Sequence, residues 1–130
     1  LDPRPQHHAM VLAVTRIAGI GFRAAATRLS LLDALSRAGS ADALATSRAK
    51  AGAGVLRDLA DELHLPLHAV EVRGIATPTQ SPRVIALHGT GSLAEAAALA
   101  GLAPGARIVV PRVTSQDGMA TCAIAEGDPL

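Results

Sequence analysis

Residues 11–27, VLAVTRIAGIGFRAAAT, decide how the whole chain is read. A short run of Val, Leu, Ala and Ile leads into a glycine pair and then into helix-forming Arg and Ala, which spells strand, tight turn, helix. At such a junction the first backbone N–H groups of the helix lack intrahelical partners, and the helix dipole favours negative charge there. The junction is therefore the expected place for an anionic ligand. Gly19 and Gly21 are expected to make the turn and to let a ligand approach the backbone. Arg23 adds a fixed positive charge with five donors, and Phe22 sits inside the turn.

Outward from this stretch, short apolar runs alternate with helical patterns. A loose tail is expected over residues 1–9 and one domain over residues 10–130. Strands are expected over residues 10–17, 42–46, 67–70, 107–110 and 119–125, and helices over residues 24–38, over residues 54–64 and in LAEAAALAG. In the first helix Leu29, Leu32 and Leu35 recur at near-helical spacing and Gly39 ends it. In the second, Val55, Leu56, Leu59 and Leu63 share a face and Pro66 stops it. Residues 71–82, with Gly74, Pro78 and Pro82, read as an irregular connection, and residues 83–87 as a short helix or strand. Gln116, Asp117 and Gly118 signal a turn before the last strand. The alternation predicts an α/β fold: a single-domain, three-layer sandwich around a largely parallel sheet with an antiparallel last strand.

With 130 residues and 49% hydrophobic content, the chain can bury a core without metal or disulfide staples. Phe22 is its one aromatic side chain, so the core must be built from Ala, Leu, Val and Ile, and small Ala faces imply helices lying close to their neighbours. Twelve basic against eleven acidic side chains leave a net charge of +1. That balance gives no electrostatic footprint for nucleic acid, and one aromatic residue gives no stacking platform. Cys122 is single, suits a reducing compartment, and reads as a small buried hydrophobe rather than a nucleophile. No apolar run approaches the ~20 residues of a membrane span, and the opening LDPRPQHH has no apolar core of a secretory signal. A cytoplasmic protein is expected.

The turn GIGFRA matches G-x-G-x-x-A, a form of the dinucleotide fingerprint. That motif calls for an acidic residue at the end of the second strand, whereas Asp42 precedes the second strand. A tight turn that binds some other anion is the better reading. A second glycine turn, His88-Gly89-Thr90-Gly91-Ser92, opens the Ala-rich helix, and Ser92 with Glu95 forms an S-x-x-E capping box. In that box the Ser92 hydroxyl would accept from the Glu95 N–H and the Glu95 carboxylate would reach back to the Ser92 N–H. If both apolar segments before the glycine turns are parallel strands, the two mouths lie at one sheet edge and could hold a ligand with several carboxylates. Lys50 and Arg48 precede the second helix. Of the five histidines only His88 is placed to touch a ligand, and no metal-ligand spacing appears. Carboxylates are scattered and no nucleophile elbow exists, so the residues themselves indicate an anion-binding α/β domain without a catalytic constellation.

The order of motifs resembles a family. A glycine turn followed by Arg, then LATSRAKAG, LADELHLPL, TPTQSPRV, GTGSLAEAAALA, IVVPR and ATCAIA together are similar to the cobalamin-biosynthesis family that contains CobE and the C-terminal domain of CbiG. The likeness spans nearly everything from Met10 to Glu126. The family's G-x-G-C-R turn falls on Gly19, Gly21, Phe22 and Arg23, with Thr27 opening the helix; its lysine falls on Lys50; its G-x-x-S-V-A-E-A-A-A signature falls on Gly89, Ser92 and Glu95. Phe22 stands where the family usually has Cys, Ala53 where it usually has Glu, and Pro111-Arg112 where it has proline and lysine. Loss of Cys and Glu counts against cysteine or acid/base catalysis, while Arg112 keeps the charge.

The resemblance implies a role in corrin-ring biosynthesis. CbiG-like proteins open a lactone on a cobalt-precorrin and release a two-carbon fragment, whereas the stand-alone CobE type belongs to the aerobic route. The expected ligand is a precorrin-type tetrapyrrole, whose acetate and propionate carboxylates would meet the helix N-termini, Arg23, Lys50 and Arg112. Other pathway enzymes, among them methyltransferases, are the expected protein partners, and no cofactor or resident metal is expected. An accessory binding protein is the first reading, a precorrin lactone hydrolase the second, and a small nucleotide-binding domain the third.

Overall fold

The structure, a computed structural model, describes residues 14–130. The expected tail and residues 10–13 of the expected first strand lie outside them. Five strands and four helices follow in the order β1 (Thr15–Phe22), α1 (Arg28–Ala38), β2 (Ala43–Ser47), α2 (Gly54–Leu63), β3 (Leu67–Val70), α3 (Pro82–His88), α4 (Leu93–Ala100), β4 (Arg107–Thr114) and β5 (Ala120–Gly127). The strands form one sheet in the order β3-β2-β1-β5-β4. β1, β2 and β3 pair in parallel, and β5 runs antiparallel to both of its neighbours. Only β5 is reversed, as the short link after β4 requires.

Period-two alternation along the strands splits the core into two layers. Ala18, Ile20, Leu44, Cys122 and Ile124 meet Leu31 and Leu35 of α1 and Leu56 and Leu59 of α2. Their sequence neighbours Ile17, Ala43, Ala45 and Ala125 meet Leu93, Ala96, Ala97 and Ala98 of α4 on the opposite face. The result is the expected α/β three-layer sandwich.

The glycines of the first stretch do not make a turn. β1 runs straight through GIG: Gly19 pairs with Ala45 of β2 and with Ala123 of β5, and Gly21 pairs with Thr121. Their role is a close approach. A Cβ on Gly19 would collide with the backbone of α4, 2.5 Å from the Ala98 nitrogen and nearer still to the Ala94 carbonyl oxygen. The Ala-rich helix thus lies with its backbone directly on the sheet, and glycine is required beneath it.

The chain turns after Phe22 instead. Arg23 N donates to Met119 O at 2.9 Å, extending the ladder by one bond, and Ala26 N donates to Arg23 O at 3.0 Å. α1 begins four residues later than expected because Thr27 caps it: Ser30 N donates to Thr27 Oγ1 at 3.3 Å and Thr27 N donates to Ser30 Oγ at 3.1 Å. Its buried stripe is Ser30, Leu31, Ala34, Leu35 and Ala38, which leaves Leu29 exposed. β4 extends beyond the expected residues 107–110 to Thr114, and as the sheet's edge strand it tolerates Pro111 and two register shifts against β5.

Candidate functional site

A cleft of about 540 Å³ opens where the carboxyl ends of β1 and β4 meet the start of β5 and the helix α3. This is the sheet edge at which α/β folds place ligands, and the volume lies within the usual range for small-molecule sites. Gly21, Phe22, Arg23 and Ala24 come from the end of β1 and the turn after it. Lys50 reaches in from the loop after β2, Leu93 from the start of α4, and Arg112 and Thr114 from β4. Ser81, Arg83, Val84, Leu87 and His88 come from α3 and its cap, Gly118 and Met119 from the turn before β5, and Ala120 and Thr121 from the start of β5.

The lining sorts by chemistry. Arg23, Lys50, Arg83 and Arg112 are cations, and no Asp or Glu lies among the described lining residues. Phe22, Val84, Leu87, Leu93 and Met119 supply an apolar wall. Lys50 Nζ stands 4.9 Å from the centre of the Phe22 ring, a cation–π contact that keeps the ammonium at the cleft. Burial, with Lys50 and Arg73 nearby, pushes the His88 imidazole below its ordinary range, so it is neutral at pH 7. A chain of nearly balanced charge thus collects four cations around one opening, which can read several carboxylates at once.

α3 forms one side of this opening, and its backbone is tied at both ends. Ser81 caps it through Val84 N at 3.4 Å, Pro82 occupies the first helical position, and Gly89 ends it in the left-handed conformation at φ 71°. Ser81 N donates to Gly91 O and Gly74 N to Gly89 O, both at 2.9 Å. None of the helix's residues is buried, so the side chains of Arg83 and Leu87 are free to meet a ligand.

Of the expected site residues, Gly21, Phe22, Arg23, Lys50, His88 and Arg112 line the cleft. Gly19 lies in the middle of the sheet under α4. Thr27 is spent on capping α1, and its partner Ser30 donates to Asp117 at 2.6 Å, so the expected anion mouth at that helix is occupied by the protein's own side chains. Gly89 closes α3 against Arg73, while Thr90, Gly91 and Ser92 are buried, with Thr90 Oγ1 donating to Ile75 O at 2.7 Å. A Cβ on Gly91 would collide with the Thr79 carbonyl oxygen, so that glycine is also a packing requirement.

The capping box of α4 forms by half. Glu95 N donates to Ser92 Oγ at 3.3 Å, but the Glu95 carboxylate does not return to Ser92. It is fully buried and accepts instead from Thr79 N at 2.8 Å, Thr79 Oγ1 at 2.7 Å and Arg112 N at 2.8 Å. The G-x-G-x-x-A pattern likewise forms no phosphate-binding turn, because its glycines are strand residues.

Sequence reasoning did not single out Arg83, Leu87, Leu93 or Met119 as site residues. Arg83 carried a usable signal, a cation directly after Ser-Pro at the opening of a short helix. The others are ordinary apolar residues until the fold brings them together. Cys122 faces the α1 side of the core, and burial pushes its thiol up to about 12, which removes it as a nucleophile. Among the described residues no group of three His, Cys, Asp or Glu comes together to hold a metal ion, and no helix is long and apolar enough to cross a membrane.

Residues 16–125 match the family described as Cobalamin synthesis G C-terminus. Among solved structures, the chain is similar to CobE, a protein from the cobalamin (vitamin B12) biosynthetic pathway, with 28% identity and a TM-score of 0.74 over 92% of this chain and 94% of that one. It is also similar to the cobalamin biosynthesis protein chiG from Agrobacterium tumefaciens str. C58, with 34% identity and a TM-score of 0.65 over 85% of this chain and 96% of that one. No curated protein matches the chain.

Proposed function

Given that the chain belongs to the CobE and CbiG C-terminal family of cobalamin biosynthesis, we propose that it binds a precorrin-type tetrapyrrole intermediate in the cleft, through the ligand's carboxylates. One observation carries this reading. Four cations and an apolar wall share a cleft with no acidic side chain among its described lining residues. A precorrin is an apolar macrocycle fringed with acetates and propionates, so its plane matches the wall of Phe22, Leu87, Leu93 and Met119 while its rim matches the cations. Arginine suits this task because its planar fork pairs with a carboxylate through two parallel hydrogen bonds. The ligand acts as substrate or cargo, handed to or from other enzymes of the pathway, in the cytoplasm.

The test is a visible-absorption titration with a hydrogenobyrinic-type tetrapyrrole, set beside a counterpart whose carboxylates are amidated. Tight binding of the acid form alone supports the reading. Equal binding of both forms contradicts it.

A second reading, a precorrin lactone hydrolase, is favoured by His88. Its neutral imidazole is the one described lining group suited to take a proton from water near neutral pH. Release of an opened product that stops in a His88→Ala protein supports it; binding with no product over many protein equivalents contradicts it.

A further inference from the structure

We infer that Glu95 is a positioning residue for the cleft: its buried carboxylate holds the backbone of Arg112 at a β-bulge, and so sets where that cation meets the ligand. The inference rests on the reading of the cleft as a carboxylate-binding site. Glu95 itself touches no ligand, because its side chain is enclosed.

The cost of the arrangement points to a purpose. A carboxylate buried among Ala94, Ala96, Ala97 and Ala98 loses its hydration, and among the described residues no Lys or Arg side chain pairs with it. An aliphatic side chain would fill the same space on α4 without that loss. What Glu95 adds is three fixed hydrogen bonds that join α4 to two other segments. Oε1 accepts from Thr79 N, and Oε2 accepts from Thr79 Oγ1 and Arg112 N, all between 2.7 and 2.8 Å.

The register of β4 explains why Arg112 needs such a partner. Val110 pairs with Ile124 and Val113 with Cys122, so three steps along β4 span two along β5. The extra residue falls at Pro111-Arg112. Proline has no N–H, and at a bulge the following amide leaves the regular ladder. The Arg112 N–H turns to Glu95, and the Arg112 side chain lines the cleft. The bonds to Thr79 anchor the carboxylate itself, so that Oε2 stays aimed at the Arg112 N–H.

Only a carboxylate serves both sides. In a Glu95→Gln protein the amide presents one oxygen and one NH₂ group. Whichever way it flips, the NH₂ donor faces either the Thr79 N–H or the Arg112 N–H.

The test uses the full chain and two readouts. The first, made without ligand, is hydrogen exchange at the Thr79 and Arg112 amides. Glu95→Gln is expected to speed exchange at one of them by about tenfold or more; unchanged protection at both overturns the inference. The second is titration with a hydrogenobyrinic-type tetrapyrrole in Glu95→Gln, Arg112→Ala and the double variant. Glu95→Gln is expected to weaken binding about tenfold in the Arg112 background and to have no further effect once Arg112 is Ala. Additive losses overturn the inference, because a purely structural Glu95 would act in both backgrounds. If Glu95→Gln does not fold, Thr79→Val removes only the hydroxyl donor, and a smaller loss is expected to vanish in the same way. Failure of the unaltered protein to bind any tetrapyrrole would instead overturn the reading of the cleft, while the exchange rates still decide the clamp.

Discussion

A Cβ on Gly19 would lie 2.5 Å from the backbone nitrogen of Ala98, so α4 rests on β1 with nothing but hydrogen between the two backbones. This contact puts the start of α4, with Leu93, at the cleft and buries Ala94, Ala96, Ala97 and Ala98 against the sheet. A Gly19→Ala protein must push the helix off the sheet, at a cost of about 3 kcal/mol or more. Gly52 has open space around the same added atom and its φ is unremarkable, so Gly52→Ala is the control. Urea melts should show a large loss for the first and little change for the second; equal stability of both would contradict the close approach.

Lys50 is held over Phe22 at the cleft, in a contact worth about 0.5–1 kcal/mol at a partly exposed site. Lys50→Met should therefore change thermal stability little. It should weaken binding of a polycarboxylate tetrapyrrole several-fold and make that binding less sensitive to salt, since one screened charge is gone. Titrations at low and high salt decide it: an unchanged salt dependence would remove Lys50 from the site.

His88 makes stability fall on mild acidification. Its folded pKa lies below the ordinary 6.5, first through burial and then through Lys50 and Arg73. As pH drops through 6.5 the unfolded chain takes up this proton before the folded one does, so the stability present above that pH is progressively lost. Urea midpoints at neutral and mildly acidic pH should therefore differ more in the unaltered protein than in His88→Gln. An equal pH dependence would contradict this placement of His88.

Cys122 should be inert while the protein is folded. Its side chain is fully enclosed, and its thiol is pushed up to about 12. A thiol reagent at mildly alkaline pH should label it only as fast as the protein unfolds, and immediately in urea. Rapid labelling of the folded protein would show the α1 side of the core to be open.

The sequence carried the architecture well because its signals are local. Apolar alternation marked the strands, Gly39 and Pro66 marked helix ends, and Leu67–Val70 was legible to the residue. What the local pattern could not carry was the reason for a glycine. GIG reads as a turn when its neighbours along the chain are considered, yet Ala94 and Ala98, far away in sequence, demand glycine there within a strand. The family resemblance put the opening of α1 at Thr27, but the helical composition of the three alanines before it blurred the boundary in the residues themselves.

The site was legible in part for the same reason. Arg23, Lys50 and His88 stand at or just beyond element ends that the α/β pattern brings to one edge, and Arg112 joins them from the bulge in β4. A net charge of +1 hid the gathering of four cations, which exists only in three dimensions. Glu95 was placed by its spacing from Ser92, and the spacing correctly gave the Ser92 half of the box. Its carboxylate was drawn away by donors on Thr79 and Arg112 that no local rule connects to it.

The most direct test of the central claim is a visible-absorption titration of the unaltered protein with a hydrogenobyrinic-type tetrapyrrole, repeated with Arg23→Ala and Arg112→Ala. With no Trp or Tyr in the chain, the protein adds little absorbance of its own. The account predicts a saturable spectral shift that weakens in both variants while their melting temperatures hold. A shift of equal affinity in all three proteins, or none in the unaltered one, would contradict it.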